Sequence, residues 1–201
     1  SPRVNTIGAT GGCRDSPRRH RHFWSRRSCC NNESERRVTL IKEILAVEIN
    51  SDNFEQFGQV VSWQYDGKGF STDELQLEIN RGTPRYYIFR KEERTLNFHK
   101  ITYHEQVTQC LASVQNSPWY IVVAKANFRI DNPPSLNDLV AFKVTGGTIV
   151  KLNMGTWHAG PLFQDIVTMD FFSLELSDTN IIDHNTYDYS PQYISFEIVD
   201  K

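Results

Sequence analysis

The sequence has no apolar run long enough to cross a membrane, and its longest apolar segments, such as residues 120–124, have the length of a β-strand. Cysteine is also scarce. Of the four cysteines, Cys13, Cys29 and Cys30 precede residue 38, so Cys110 stands alone in the rest of the chain. No disulfide can form within that part, which favours a reducing compartment. We therefore expect an intracellular protein without a membrane partner.

Acidic residues are scarce only at the start of the chain. Residues 1–37 hold nine arginines against three acids, whereas the remainder holds 13 basic and 21 acidic residues. An acidic body repels phosphate backbones, so we do not expect a nucleic-acid partner.

Residues 1–37 also lack hydrophobic periodicity, which predicts a disordered basic arm. One interpretation is a transit segment that directs the protein to a plastid or mitochondrion. The other is a solvated basic tail on a cytoplasmic protein. His20 and His22 lie near cysteines, but their spacing matches no structural zinc site.

Helical periodicity is scarce in the body, residues 38–201. Eight or more short apolar or alternating segments are separated by turn signals roughly every 8–12 residues, which predicts an all-β barrel or sandwich with a few short helices. The segment SDNFEQFGQVV (51–61) predicts a short helix with a Ser51/Asp52 cap and Gly58 as its stop, followed by a strand. The segment ELQLEIN (74–80) alternates strictly and predicts a strand. TLNFHKITYH (95–104) predicts another, with Thr102 and His104 on one face.

The segment GTWHAGPLF (155–163) places His158 in a tight, aromatic, mostly uncharged corner. With Gly147 and Gly155 it fits the second motif of the cupin superfamily (G, five residues, P-x-G, two residues, H), except that Asn153 replaces proline. The first cupin motif is H-x-H, three or four residues, E, six residues, G. His104 matches its second histidine; Thr102, Gln109 and Asn116 depart from it.

The body resembles the ureidoglycolate lyase family over roughly residues 40–190. The resemblance lies in FEQFGQVV, in GTPRYY with Tyr87 in place of histidine, in YHEQVTQCL through His104 and Gln109, and in TWHAGPLF. It implies a cupin-like double-stranded β-helix (jelly-roll) barrel and a homodimer. It also implies cleavage of (S)-ureidoglycolate to glyoxylate and urea in purine and allantoin catabolism.

The resemblance implies a divalent metal such as nickel or manganese. The family carries an acid at the position of Thr102 and a histidine at the position of Asn153. His104, Gln109 and His158 remain as ligands, and a neutral amide oxygen binds such an ion weakly. We expect a weak metal site, or none.

The reaction needs a group that holds the carboxylate and groups that move a proton. Arg85 is the expected carboxylate ligand, because a guanidinium binds carboxylate bidentately; Lys151 is a second cation if its strand turns it inward. His104 and His158 are the expected acid and base. The remaining candidates for substrate contact are Gln109, Trp157 as an apolar wall, Tyr87 and Asn153.

Structural roles are the alternatives to these assignments. Arg85 can form a surface ion pair, His104 and Gln109 can be hydrogen-bonded strand residues, and Trp157 can belong to the core. His184 is expected in a surface loop and Cys110 in packing, while a buried Asp170 would be a third partner. Two other functions stay open: a non-catalytic or regulatory cupin that binds a small organic or sugar acid, and a sugar isomerase or epimerase.

Overall fold

A computed structural model describes residues 39–92 and 94–200. These residues form thirteen strands, two α-helices of one turn each and one 3-10 turn at Ser190–Gln192. The helices are α1 (Ser51–Phe54) and α2 (Thr179–Ile182). The strands are β1 Leu40–Glu48, β2 Gly58–Val61, β3 Pro84–Lys91, β4 Asn97–Phe98, β5 Lys100–Tyr103, β6 Gln109–Ser113, β7 Trp119–Ala124, β8 Val140–Val144, β9 Ile149–Leu152, β10 Trp157–Leu162, β11 Met169–Leu176, β12 Asn185–Asp188 and β13 Ile194–Val199.

The strands form two sheets. The larger sheet has the order β12-β5-β10-β7-β8-β1-β13-β4, and the smaller has the order β2-β9-β6-β11-β3. Neighbouring strands are antiparallel except around β1, which runs parallel to both β8 and β13. The large sheet curls into a half-barrel and the small sheet packs against it, so the prediction of an all-β, cupin-like barrel with short helices is confirmed.

Strand β7 contains the longest apolar run of the sequence because both of its faces pack against apolar side chains. All six of its residues are buried. Tyr120 and Val122 point into a cluster enclosed by the curled large sheet, whereas Trp119 and Ile121 point into a second cluster shared with the small sheet. A strand with apolar surroundings on both faces cannot alternate with polar residues. Each such side chain contributes about 1.5–3 kcal/mol of burial energy.

Of the local predictions near the start of the body, that of a short helix is confirmed and that of a strand at residues 74–80 is wrong. The short helix is confirmed as α1, but its cap is Asn50, whose side chain accepts the Asp52 and Asn53 N–H groups. The strand predicted at residues 74–80 is wrong, because this segment joins no ladder and half-exposes Leu77. Its main chain is held instead by the Thr108 side chain and main chain.

The predicted strand at residues 95–104 is broken at His99 into β4 and β5. Leu96 and Phe98 face the core before the break, whereas Ile101 and Tyr103 face it afterwards. The alternation therefore shifts by one residue at the break. Thr102 and His104 still share the opposite face, as predicted.

The predicted basic arm and its boundary at residue 37 lie outside the described residues. Within the described part of the chain, no helix has the length and apolar character needed to span a membrane.

Candidate active site

His104 and His158 face one cavity between the two sheets. His104 follows β5, and His158 lies in β10 opposite Thr102 of β5. The two imidazole rings have centroids 5.1 Å apart and planes tilted by 52°. Both rings line a cavity of about 230 Å³. The convergence of two histidines that lie far apart in the sequence, which the motifs predicted, is present.

A glycine turn fixes this convergence. The Gly155 N–H donates to the His104 carbonyl over 2.6 Å, which ties the start of β10 to the end of β5. Gly155 has φ +78°, and a Cβ there would lie 2.4 Å from the Phe128 ring. Only glycine meets both demands without strain.

Main-chain carbonyls fix the protonation of both rings. His104 Nδ1 lies 2.6 Å from the Asp183 carbonyl oxygen, and His158 Nδ1 lies 3.1 Å from that of Thr156. A carbonyl oxygen only accepts, so each Nδ1 carries the proton and each Nε2 is available as an acceptor. Burial, helped by the nearby charge of His104, lowers the pKa of His158 to about 3. His158 therefore stays neutral near pH 7.

Asp183 holds the loop beside His104. Its buried carboxylate accepts the N–H groups of Glu105 and Gln106, each over 2.8 Å, while its own carbonyl binds His104. The residues that immediately follow His104 are thus fixed to the segment that orients its ring.

Glu175 is the centre of a polar network on the small sheet. It is 1% exposed. Its Oε1 accepts the Tyr87 hydroxyl and the Asn180 amide, and its Oε2 accepts the Gln109 amide, all over 2.9 Å. Burial raises the pKa of Tyr87, and its hydrogen bond to the Glu175 carboxylate raises it further. A buried carboxylate held by three donors is fixed in position.

Arg85 lies beside this network. Its guanidinium carbon is 3.6 Å from the centre of the Tyr87 ring, and its Nη1 is 3.8 Å from Glu175 Oε1. The side chain is 43% exposed and is not one of the described residues that line the cavity. Arg85 is therefore a cation near the cavity whose charge is already shared with Glu175.

The family match follows these features of the site. The family model described as ureidoglycolate lyase matches residues 41–188, which include every residue of the cavity wall. The chain belongs to the ureidoglycolate lyase family. No curated protein matches the chain.

Five polar residues that line the cavity were not predicted from the sequence as site residues: Lys91, Ser173, Glu175, Asn180 and His184. Alternation along β3 and β11 is the available signal, because Tyr87 and Lys91, like Ser173 and Glu175, share a strand face. His184 is exposed, as a surface-loop residue would be, but its ring centroid lies 5.6 Å from that of His104. The neighbouring side chains still enclose part of the ring, and this partial loss of solvent, together with the charge of His104, lowers the pKa of His184.

Three predicted substrate ligands of this family member lie away from the cavity. Lys151 pairs with Cys110 across β9 and β6, one position from Gln109, so its strand turns it to the opposite face. Its Nζ donates to Asn153 Oδ1 over 2.7 Å. Trp157 belongs to the core and donates its Nε1–H to Asn127.

Two other side chains have structural surroundings. Burial raises the pKa of the Cys110 thiol to about 11, which suits packing rather than a nucleophile. Asp170 forms a two-point ion pair with Arg90 over 2.8 and 2.9 Å, so it is not a buried partner of the histidines.

The donor set does not fit the metal that the family resemblance implies. Among the described residues, no three His, Cys, Asp or Glu side chains are placed to hold an ion together. His104 and His158 offer two neutral nitrogens, and Gln109 uses its amide N–H on Glu175. Thr102, at the position of the family's acid, bonds its hydroxyl to Thr186.

Proposed function

We propose that this protein cleaves (S)-ureidoglycolate to glyoxylate and urea. In this lyase reaction a proton leaves the C2 hydroxyl, the C2–nitrogen bond breaks as the carbonyl of glyoxylate forms, and the departing nitrogen gains a proton. Atoms and electrons balance without water or a redox partner. The single observation that carries the proposal is the pair of imidazoles facing one small cavity, in a chain of this family.

His104 is the proposed proton carrier. Its Nε2 accepts the hydroxyl proton and returns it to the urea nitrogen, a role worth about 10²–10⁴-fold in rate. The short bond from Nδ1 to the Asp183 carbonyl supports the transient imidazolium. His158 does not take this role, because its lowered pKa opposes protonation; it accepts a hydrogen bond from the substrate instead.

The carboxylate of the substrate is assigned to the cations beside the cavity. Lys91 lines the cavity wall and forms no ion pair with any described residue. Arg85 lies beside Glu175, whose carboxylate partly neutralises the charge of the guanidinium. We therefore propose Lys91 as the principal carboxylate ligand and Arg85 as an auxiliary one.

The test is incubation of the purified protein with (S)-ureidoglycolate and assay of both products. The wild type should release urea and glyoxylate in equal amounts, and His104→Gln should reduce kcat at least about 100-fold. His99→Gln is the matched control, since His99 is exposed on the break between β4 and β5 and should leave turnover unchanged. Product release no faster than the uncatalysed reaction by the wild type contradicts the proposal.

A second candidate is a non-catalytic cupin that binds a small organic acid. The replacement of two family ligand positions favours it, because Thr102 bonds to Thr186 and Asn153 bonds to Lys151 where the family has an acid and a histidine. Tight binding of ureidoglycolate without product release would support this candidate over the first. A homodimer and an intracellular location complete the proposal.

A further inference from the structure

Ser173 is a buried hydroxyl without a partner. The residue is 1% exposed, and its Oγ makes no hydrogen bond of ordinary length and angle with any described residue. Its cross-strand neighbour is Tyr87, and the nearby Ser173 hydroxyl acts to lower the pKa of Tyr87, against the larger effects of burial and Glu175. Ser173 nevertheless lines the cavity, on the face of β11 that also presents Glu175. Buried hydroxyls are nearly always hydrogen-bonded, and an unbonded one destabilises the fold. The position therefore calls for an explanation beyond folding.

Comparison with the other such atom sharpens this point. Within the described residues, Trp119 Nε1 is also buried without a partner. Trp119 lies in the apolar cluster between the sheets, against the ring of Phe171, and lines no part of the cavity. Ser173 is thus the unpartnered buried group that a ligand can reach.

The neighbours of Ser173 define which ligand group fits. Its hydroxyl hydrogen can be donated into the cavity. Glu175 Oε2 accepts one bond, from Gln109, whereas Oε1 already accepts two. Oε2 therefore keeps capacity for another donor. A donor and an acceptor two residues apart on one strand face match the carbonyl oxygen and the N–H group of a carbamoyl unit.

We propose that Ser173 and Glu175 form the subsite for the ureido group, with Ser173 donating to its carbonyl and Glu175 accepting its N–H. This inference rests on the proposed function and names Ser173 as a specificity residue. It also sets the orientation of the ligand. The carboxylate avoids the anionic Glu175 end and lies towards Lys91, at the other end of the inner face of β3.

The experiment measures binding without turnover. The probe is N-carbamoylglycine, which has the ureido group and carboxylate of the substrate but no C2 hydroxyl to cleave. Glycolate, which lacks the ureido group, is the comparison ligand. Ser173→Ala should weaken N-carbamoylglycine binding about tenfold in calorimetry and leave glycolate binding unchanged.

Stability separates a binding role from a structural one. Ser173→Ala removes an unsatisfied hydroxyl, so the melting temperature of the ligand-free protein should hold or rise. Ser113→Ala is the matched control on neighbouring β6: its hydroxyl donates to the Gln115 carbonyl over 2.7 Å. That variant should melt lower and bind N-carbamoylglycine normally.

The outcomes are distinct from those of the activity assay. A wild type that binds N-carbamoylglycine but does not cleave ureidoglycolate defeats the proposed reaction and leaves the subsite standing. A Ser173→Ala variant with wild-type affinity for N-carbamoylglycine overturns the subsite, whatever the turnover. Equal loss of affinity for glycolate and N-carbamoylglycine also overturns it, because the ureido group would then have no special contact.

Discussion

The lowered pKa of His158 makes the stability of this protein depend on pH in a defined window. The ring is buried, its folded pKa is about 3, and its ordinary value is 6.5. Above pH 6.5 the ring is neutral in both the folded and unfolded chain. Between pH 6.5 and 3 the unfolded chain binds a proton that the folded chain refuses, so stability falls as the pH falls.

The size of the effect follows from the two pKa values. Each pH unit within the window removes about 1.4 kcal/mol of the free energy of unfolding, so His158 alone should account for a loss of about 2 kcal/mol between pH 6.5 and pH 5. The titratable groups that act on the ring are His104 and His184, and their charges oppose its protonation as well.

The assay is guanidinium denaturation at closely spaced pH values from 7.5 to about 4.5, where two-state unfolding gives the free energy directly. His158→Gln lowers stability overall but should flatten the slope against pH, because glutamine does not titrate. His99→Gln removes an exposed histidine and should keep the wild-type slope. Parallel curves for the wild type and His158→Gln would refute the reasoning.

Two further predictions concern the polar network and the metal. Glu175→Ala strands the donors of Tyr87, Gln109 and Asn180 and should cost at least about 3 kcal/mol in guanidinium denaturation, whereas Glu175→Gln keeps a carbonyl acceptor and should cost less. An equal cost would contradict the network. Dialysis against a chelator should leave the turnover of ureidoglycolate unchanged, because two imidazoles and the weak amide oxygen of Gln109 are too few strong ligands to hold an ion tightly. A loss of turnover that nickel or manganese restores would contradict this prediction.

The sequence predicted the parts of the fold that depend on local patterns. The buried run of β7, the helix before Gly58 and the shared face of Thr102 and His104 all follow from the spacing of apolar residues and turns. The strand expected at residues 74–80 did not form because the main chain of Glu78 bonds to the side chain and main chain of Thr108 and not to a neighbouring strand. Periodicity specifies a face but not a partner.

The residues of the candidate site were likewise predicted only in part. The motifs predicted that His104 and His158 share a site. They do so because β5 and β10 pair directly, with His158 opposite Thr102. Glu175 was missed because an acid between two leucines reads as the polar face of a strand. Its burial depends on hydrogen bonds from Gln109, Tyr87 and Asn180, and of these only Asn180 is close to Glu175 in the sequence. Lys151 was misplaced because a single-residue register decides its face.

The position of β1 has a consequence for how the chain folds. The first described strand lies between β8 and β13, and β13 is the last of the described strands. One edge of β1 therefore has no partner until the ribosome has delivered the residues of β13, Ile194–Val199. Pairing over so long a sequence separation is slow. A nascent chain that ends before Ile194 should therefore expose the unpaired edge of β1 to chaperones.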